Sequence, residues 1–294
     1  MTILRYGLIC VVLVLTACGQ RELEPDEPIN NDNSERWNKA QDPFRIHGNT
    51  WYVGTAGLSS ILVETDDGLI LIDGGLPQSA PLIDTNIRNL GFDTLDVKAI
   101  LVSHAHYDHV GGIAALQRYT DATVFASQLA LEPLMNGRLT VDDPQYVADS
   151  DQGDFPAVRQ VAAVGDGEVV TVGSVDVKAV YTPGHTPGST TWTWQSCALN
   201  VCYDVVYAYS MTAVSAEGFK FTESGVADKL VASAGIIADL ECDILLSPHP
   251  FFFGMADKLE RLDQGNPFVN NVGCLLYAES SLQWLEQRLE AERL

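Results

Sequence analysis

The sequence has few basic residues, and this shortage limits what the protein can bind. Its 294 residues include 17 Lys or Arg against 39 Asp or Glu, which gives a formal net charge of −22. Nucleic acids require a basic face opposite their phosphates. We therefore expect no nucleic-acid partner, and we do not expect a phosphate polymer as substrate.

The sequence near the start also lacks a hydrophobic run long enough to cross a membrane. The apolar run Leu8–Leu15 is too short, because a transmembrane helix needs about 20 apolar residues. A basic residue precedes this run and Leu-Thr-Ala-Cys ends it, so residues 1–18 have the regions of a secretory signal. That tetrapeptide resembles a bacterial lipobox and predicts a lipid on Cys18 as the sole membrane contact, with an ordinary cleaved signal as the alternative. Gly19 suits sorting to the outer membrane, which predicts a periplasmic, lipid-anchored protein of the cell envelope.

Apolar periodicity is absent from residues 19–42. This stretch is polar and acidic, so we expect a flexible tether. The chain as a whole is 46% hydrophobic and 19% charged, as is ordinary for a protein with a sizeable core. We therefore expect residues 43–294 to form a single α/β domain, and we expect a monomer.

The cysteines lack the Cys-x-x-Cys spacing of a structural zinc site, which argues against their being metal ligands. Four of them remain after the signal region, which suits an oxidising compartment, and they allow three pairings. A plausible turn separates Cys197 from Cys202, so we pair these two. Cys242 then pairs with Cys274.

Histidine is scarce, yet most of it is concentrated in three short stretches. Zinc binds imidazole nitrogen and carboxylate oxygen, and a catalytic site keeps one position open for water. The predicted strands Val97–Ser103 and Asp243–Ser247 lead directly into histidines, whereas His47 has no such setting and is expected to be an ordinary side chain. The candidate ligands are His104, His106, Asp108, His109, His185 and His249. Their number and placement predict a two-metal hydrolase site.

The rest of the chain alternates between predicted strands and helices. Asp73 ends a predicted strand before two glycines, where it either orients a metal-binding histidine or simply begins a turn. Residues 136–160 lack periodicity, and so long a loop is usually functional or disordered. The predicted helices are Ile83–Leu90, Ile113–Tyr119, Leu129–Met135, Val226–Leu240 and Leu275–Leu294, and further predicted strands are Thr50–Val53, Ser59–Thr65, Leu69–Ile72, Ala122–Ala126, Glu168–Val172, Val175–Thr182, Thr190–Trp194 and Val205–Tyr209.

Three motifs together resemble the metallo-β-lactamase superfamily, and most closely its third subclass of zinc β-lactamases. They are Ser-His-Ala-His-Tyr-Asp-His at 103–109, Thr-Pro-Gly-His-Thr-Pro-Gly-Ser at 182–189 and Pro-His-Pro at 248–250. The resemblance implies a four-layer αββα sandwich. It also implies two Zn²⁺ ions, one held by His104, His106 and His185 and the other by Asp108, His109 and His249. A hydroxide shared by the ions would attack a β-lactam carbonyl, and Asp108 would also orient it.

The same resemblance assigns substrate contacts. Other zinc β-lactamases have a cysteine ligand where Ser210 stands here, so Ser210 and Thr212 would contact the substrate carboxylate. Gln145 lies in a loop that either closes over the substrate or is a solvated acidic segment. Tyr209 departs from the subclass, which usually has an acidic residue there. Lactonases and glyoxalases of this fold use an aspartate on this strand to bridge two metals, so its absence argues against those relatives.

We therefore expect hydrolysis of penicillins, cephalosporins and carbapenems, which would confer antibiotic resistance. One alternative keeps the fold and changes the substrate to a lactone or a thioester. A remoter alternative is a non-catalytic zinc-binding lipoprotein of the cell envelope. The same His/Asp set also suits iron or manganese.

Overall fold

The structure, a computed structural model, describes residues 22–294. Its strands are β1 (Phe44–His47), β2 (Thr50–Tyr52), β3 (Ile61–Thr65), β4 (Gly68–Ile72), β5 (Val97–Leu101), β6 (Thr123–Ser127), β7 (Val161–Val164), β8 (Val169–Val172), β9 (Val175–Tyr181), β10 (Thr190–Ala198), β11 (Val201–Tyr207) and β12 (Ile244–Leu246). Its α-helices are α1 (Ser34–Trp37), α2 (Ala80–Asn89), α3 (Tyr107–Val110), α4 (Ile113–Thr120), α5 (Leu131–Asn136), α6 (Phe221–Ser224), α7 (Val226–Ala238), α8 (Met255–Leu259) and α9 (Gly273–Ala291).

Two mixed sheets form the centre of the molecule. One sheet runs in the order β1 to β7, antiparallel from β1 to β4 and parallel from β4 to β7. The other has the order β12-β11-β10-β9-β8, with β11 and β12 parallel. Because β4, β5 and β6 are parallel neighbours, the loops that follow them leave the sheet at the same edge.

Alternating side chains on the first sheet explain the layering. In β4, Ile70 and Ile72 belong to the core between the two sheets, whereas Leu69 and Leu71 belong to a second core beneath the helices. Both faces of this sheet are therefore buried. Helix α2 covers one of them with Ile83, while α7 and α9 cover the outer face of the second sheet. This arrangement confirms the predicted single-domain αββα sandwich.

Two disulfides lie in the second half of the sandwich. Cys197 and Cys202 are opposite each other in the β10–β11 hairpin and are bonded. Cys242 and Cys274 are also bonded and join the start of β12 to the start of α9. The hairpin explains why β10 and β11 extend further than the apolar pattern predicted.

The segment before the sandwich differs from the flexible tether expected at 19–42. From residue 22 onward this segment packs on the domain: Leu23 and Ile29 contact the core beneath the first helical layer. The Gln78 side chain both accepts from the Ile29 backbone and donates to it, at 3.1 and 2.7 Å. Composition missed this because scattered apolar residues and backbone groups, with no periodicity, make the contacts.

The predicted signal and lipobox, including Cys18, lie outside the described residues. Within 22–294, no helix combines the length and the hydropathy that a membrane span requires.

Candidate metal centre

The candidate ligands meet at one edge of the sandwich. The chain leaves β5 and turns through His104 and His106 into the short helix α3, which carries Asp108 and His109. Close backbone approach fixes this turn, because the Gly74 amide donates to the His109 carbonyl at 2.7 Å. A Cβ on Gly112 would lie 2.3 Å from the Gly74 carbonyl oxygen, so only glycine fits there.

The side chains form two groups. Within each group, the potential donor atoms all lie within 4.8 Å of one another. We call His104, His106 and His185 the three-histidine set, and Asp108, His109 and His249 the aspartate set. In the aspartate set, Asp108 Oδ2 is 3.2 Å from His109 Nε2 and 3.4 Å from His249 Nε2. The rings of His104 and His109 are 4.4 Å apart, so the two sets adjoin.

In the three-histidine set, each ring has a partner at the nitrogen facing away from the cluster. His104 Nδ1 lies 3.0 Å from Ser103 Oγ, and His185 Nδ1 lies 3.1 Å from the Thr212 carbonyl oxygen. His106 Nε2 lies 3.1 Å from an oxygen of Asp143. Such partners select the ring tautomer and direct the opposite nitrogen towards a metal. The opposite nitrogen of His106, Nδ1, lies 3.3 Å from Gln145 Nε2, so a metal ion there would displace the Gln145 amide.

Asp73 acts on His104 through Ser103. Its carboxylate accepts hydrogen bonds from the Ser103 amide, the Ser103 hydroxyl and the Tyr207 hydroxyl, at 2.8, 2.6 and 2.8 Å. Asp73 has a φ of 58°, a left-handed conformation that costs about 1–3 kcal/mol in a residue with a side chain. These three bonds hold it there, so Asp73 combines both sequence-based interpretations, the turn and the orientation of a histidine.

Asp143 is a site residue that the sequence did not single out. It is buried beside His106, and it also accepts from the Gln145 amide at 2.8 Å. Burial raises the pKa of Asp143, but the charge and hydrogen bond of His106 outweigh burial and lower it overall. Asp143 is one of five aspartates in the aperiodic loop, so no local signal distinguished it.

The aspartate set is held less completely. His249 Nδ1 lies 3.4 Å from the Gly57 carbonyl oxygen. His109 Nδ1 is buried and has no hydrogen-bond partner among residues 22–294. Trp37, from the segment expected to be a tether, packs against the His249 ring with centroids 5.4 Å apart.

Burial keeps several of these rings neutral. It lowers the pKa of His185 to about 3 and that of His249 to about 4, and it lowers the pKa of His104 well below its ordinary value. Burial alone would raise the pKa of Asp108, but the charge and hydrogen bond of His109 hold it well below its usual range. Neutral imidazoles and an ionised carboxylate are the forms that bind metal.

These residues fit a metal ion. His104 Nε2 is buried and has no hydrogen-bond partner in the described part of the chain. It lies among the other rings of the three-histidine set, whose centroids are 4.9 and 5.0 Å from the His104 ring. A buried, unpartnered nitrogen is costly unless something binds it. Since imidazole nitrogen and carboxylate oxygen are ordinary zinc ligands, the donor set matches a metal centre.

Two of the predicted substrate contacts, Thr212 and Gln145, lie against histidines of this centre. Ser210 is buried and its Oγ has no hydrogen-bond partner within residues 22–294. Thr212 lies against His185, with its Oγ1 3.0 Å from Nδ1. Gln145 Nε2 is 3.3 Å from His106 Nδ1. Tyr209 is fully buried and belongs to the larger core, where the Tyr277 hydroxyl donates to its carbonyl at 2.7 Å.

A groove of about 610 Å³ opens above His106. One wall is the segment from Ile29 to Asn33, and Asn31 Nδ2 donates to the Tyr107 hydroxyl at 3.0 Å. The opposite wall is the segment from Asp151 to Asp154. A larger cavity of about 900 Å³ lies at the hairpin ends of the strands and contains no histidine, so donor chemistry rather than size identifies the site.

Comparison with solved structures places this arrangement in a known group. Over 90% of this chain and 100% of the other, the structure superimposes on the Rm3 metallo-beta-lactamase with a TM-score of 0.87 and 43% identity. The match to MEM-A1, a subclass B3 metallo-beta-lactamase from a soil metagenome library, has a TM-score of 0.84 and 40% identity over 87% of this chain and 98% of that one.

Curated relatives match over shorter stretches. An N-acyl homoserine lactonase of Bacillus thuringiensis is 27% identical over 150 residues, which are 43% of this chain and 54% of the lactonase. An uncharacterized Aquifex aeolicus protein is 32% identical over 92 residues, which are 31% of this chain and 41% of that protein. The chain thus spans about half the length of these relatives.

The family assignment rests on a match over most of the domain. The sequence profile of the Metallo-beta-lactamase superfamily matches residues 54–249, which contain both ligand sets. The chain therefore belongs to the metallo-beta-lactamase superfamily and resembles its subclass B3 members.

Proposed function

We propose that this protein is a zinc β-lactamase that opens the β-lactam amide of penicillins, cephalosporins and carbapenems. The observation that carries the proposal is the pair of adjoining donor sets, with His104 and His109 in ring contact, in a chain about 40% identical to subclass B3 enzymes over nearly their whole length. His104, His106 and His185 would hold one zinc ion. Asp108, His109 and His249 would hold the second.

When bound, paired zinc ions lower the pKa of water towards 7, polarise a carbonyl and stabilise developing charge. The chain supplies the positioning. Asp108 remains ionised and accepts a hydrogen bond, so it orients the attacking water as well as binding metal. The free Ser210 hydroxyl is available to donate to a substrate carboxylate, and the Gln145 amide lies above His106 to contact the substrate.

A lactone is the competing substrate, because an N-acyl homoserine lactonase is among the relatives. Lactonases of this fold use an aspartate on the predicted strand Val205–Tyr209 to bridge two metals, and this stretch contains no aspartate here. The Tyr209 side chain is fully buried in the core. This favours the β-lactam over the lactone.

Substrate trials with the zinc-loaded protein separate these possibilities. We expect a penicillin, a cephalosporin and a carbapenem to be hydrolysed, with activity lost to a chelator and restored by zinc. A lactone and a thioester serve as parallel substrates. If folded, metal-loaded protein opens the lactone or thioester and none of the β-lactams, the proposal is wrong.

Metal analysis tests the second ion separately. His109→Ala should reduce bound zinc from two ions towards one, because it removes a donor of the aspartate set only. Unchanged stoichiometry would contradict the assignment of His109.

The cell envelope is the location we propose. Both disulfides support an oxidising compartment, as does the predicted signal. Mass spectrometry of the mature protein would reveal lipid on Cys18 or simple cleavage.

A further inference from the structure

A second cavity, of about 280 Å³, lies between the chain that follows His249 and the first turns of α9. Its walls are largely aromatic, with Phe251, Phe252, Tyr277 and Trp284 around it. We call this cavity the aromatic pocket. It shares no lining residue with the groove above His106.

Lys258, from α8, also lines the aromatic pocket. Its Nζ lies 5.8 Å from the ring centre of Phe253 and 5.3 Å from that of Phe268. No carboxylate of the described residues lies within 4.0 Å of this ammonium. Burial and, to a smaller extent, the nearby positive charge of Arg261 lower the pKa of Lys258 to about 8.

An ammonium in this setting is unusual. Lys258 is half-buried, and an ammonium that loses part of its hydration is stabilised by an anionic partner. The two aromatic rings attract the ammonium but supply no hydrogen-bond acceptor of the kind that a carboxylate provides. The protein carries 39 acidic residues, so the lack of a partner here is not due to a shortage of acids.

The remaining polar groups of the aromatic pocket suit an anion with an apolar body. Ser280 supplies a hydroxyl and Asn270 an amide, on either side of the aromatic walls. Ligand pockets of about 300–1,000 Å³ bind drug-sized molecules, so this smaller cavity suits a ligand of roughly ten non-hydrogen atoms.

We propose that the aromatic pocket binds a small monocarboxylate with an aromatic or short acyl body, whose carboxylate pairs with Lys258. The anion supplies the charge that Lys258 lacks, and the apolar body replaces water against Phe252 and Trp284. This site is separate from the metal centre and does not depend on the proposed β-lactamase activity.

Calorimetric titration of the zinc-loaded protein with benzoate and octanoate tests the proposal. We expect saturable binding of one ligand per chain, weakened about tenfold or more by Lys258→Met, because a charge-assisted hydrogen bond contributes about 1.5–3 kcal/mol. Lys229→Met, at an exposed lysine of α7, is the matched control and should not change the affinity. Benzyl alcohol and 1-octanol should bind both Lys258 forms equally.

A second variant guards against a general effect of the charge. Ser280→Phe fills the aromatic pocket and should abolish binding without removing Lys258, while circular dichroism confirms that each variant is folded. Binding that is absent, or equal in Lys258→Met and the unaltered chain, would overturn the proposal.

Two further arms exclude other occupants. Carboxylates can also bind at a metal centre, so Asp108→Ala must leave benzoate binding unchanged, and its loss in that variant would refute the aromatic pocket as the site. If the protein binds anionic phosphatidylglycerol vesicles through Lys258 but binds neither free carboxylate, the pocket serves a lipid surface and the proposal is wrong.

Discussion

The two ligand sets are similar in composition but are held very differently. All three rings of the three-histidine set have a hydrogen-bond partner at the outward nitrogen, namely Ser103, Asp143 or Thr212. In the aspartate set, His249 Nδ1 has only a carbonyl 3.4 Å away, and His109 Nδ1 has no hydrogen-bond partner within residues 22–294. Since such partners fix ring orientation before the metal arrives, the three-histidine set is the better organised metal site.

The surroundings of the two sets differ in the same direction. His106 of the three-histidine set lines the groove, and His104 and His185 are buried beside it. His249 instead lies between Trp37, from the segment before the sandwich, and Phe251, which is 64% exposed. Adjoining sites built from similar side chains can therefore differ in rigidity.

The largest effect is expected from removing Asp108, the sole carboxylate donor of the two sets. Asp108→Ala deletes a metal ligand and the group that orients water, so we expect kcat/KM to fall on the order of a thousandfold. Metal analysis should find that one ion is lost and that the three-histidine set retains its own. Loss of both ions together would show that the sets do not bind independently.

Stepwise removal of metal should show that the two sets differ in metal affinity. With increasing chelator, we expect the aspartate set to lose its ion first, at an affinity about tenfold or more weaker than that of the three-histidine set. Native mass spectrometry gives the stoichiometry, and visible spectra of the cobalt-substituted protein identify the set that is emptied. Simultaneous loss at every chelator concentration would argue against unequal sites.

Weakening the three-histidine set should bring its metal affinity closer to that of the aspartate set. Asp143→Asn keeps the shape of the side chain but removes the charge beside His106, so we expect metal affinity of the three-histidine set to fall about 10–100-fold. Asp142→Asn, one residue away and exposed, is the matched control. Equal effects of the two substitutions would mean that Asp143 does not position His106.

A smaller difference is expected between His185 and His249 in how each makes the free energy of unfolding depend on pH. In the metal-free protein, burial lowers the pKa of His185 to about 3 and that of His249 to about 4, whereas an unfolded histidine titrates near 6.5. The unfolded chain therefore binds protons first, and the free energy of unfolding should decrease as the pH falls from about 6.5 towards 4. Denaturant titrations between pH 4 and 7 measure this slope. His185→Asn should flatten it more than His249→Asn does, and the reverse order would contradict the comparison.

Much of the fold could be predicted because its signals are local. Alternating apolar residues predicted the central strands, and the layering follows because both faces of the first sheet must be covered. The short strands β1 and β7 were missed. Each has four residues, and contacts distant in sequence determine its pairing.

The candidate site was also predictable only in part from the sequence. Dense histidine motifs beside strand ends are visible in the sequence, and the structure brings those residues together in two sets. Asp143 and Trp37 were not identifiable, because nothing near either residue differs from an ordinary loop. Their proximity to His106 and His249 arises only when distant segments pack.

The packed segment before the sandwich alters what a lipid on Cys18 would do. Leu23 contacts the core and Asp26 pairs with Arg118 at 3.0 Å, so only the four residues 19–22 separate a lipid on Cys18 from the first residue in contact with the domain, rather than the whole of 19–42. The five Cα–Cα steps from residue 18 to residue 23 can span at most roughly 17 Å. Such a short connection would keep the domain close to the bilayer, with one side always turned towards it. The protein would then meet its substrates in the thin layer of fluid beside the membrane.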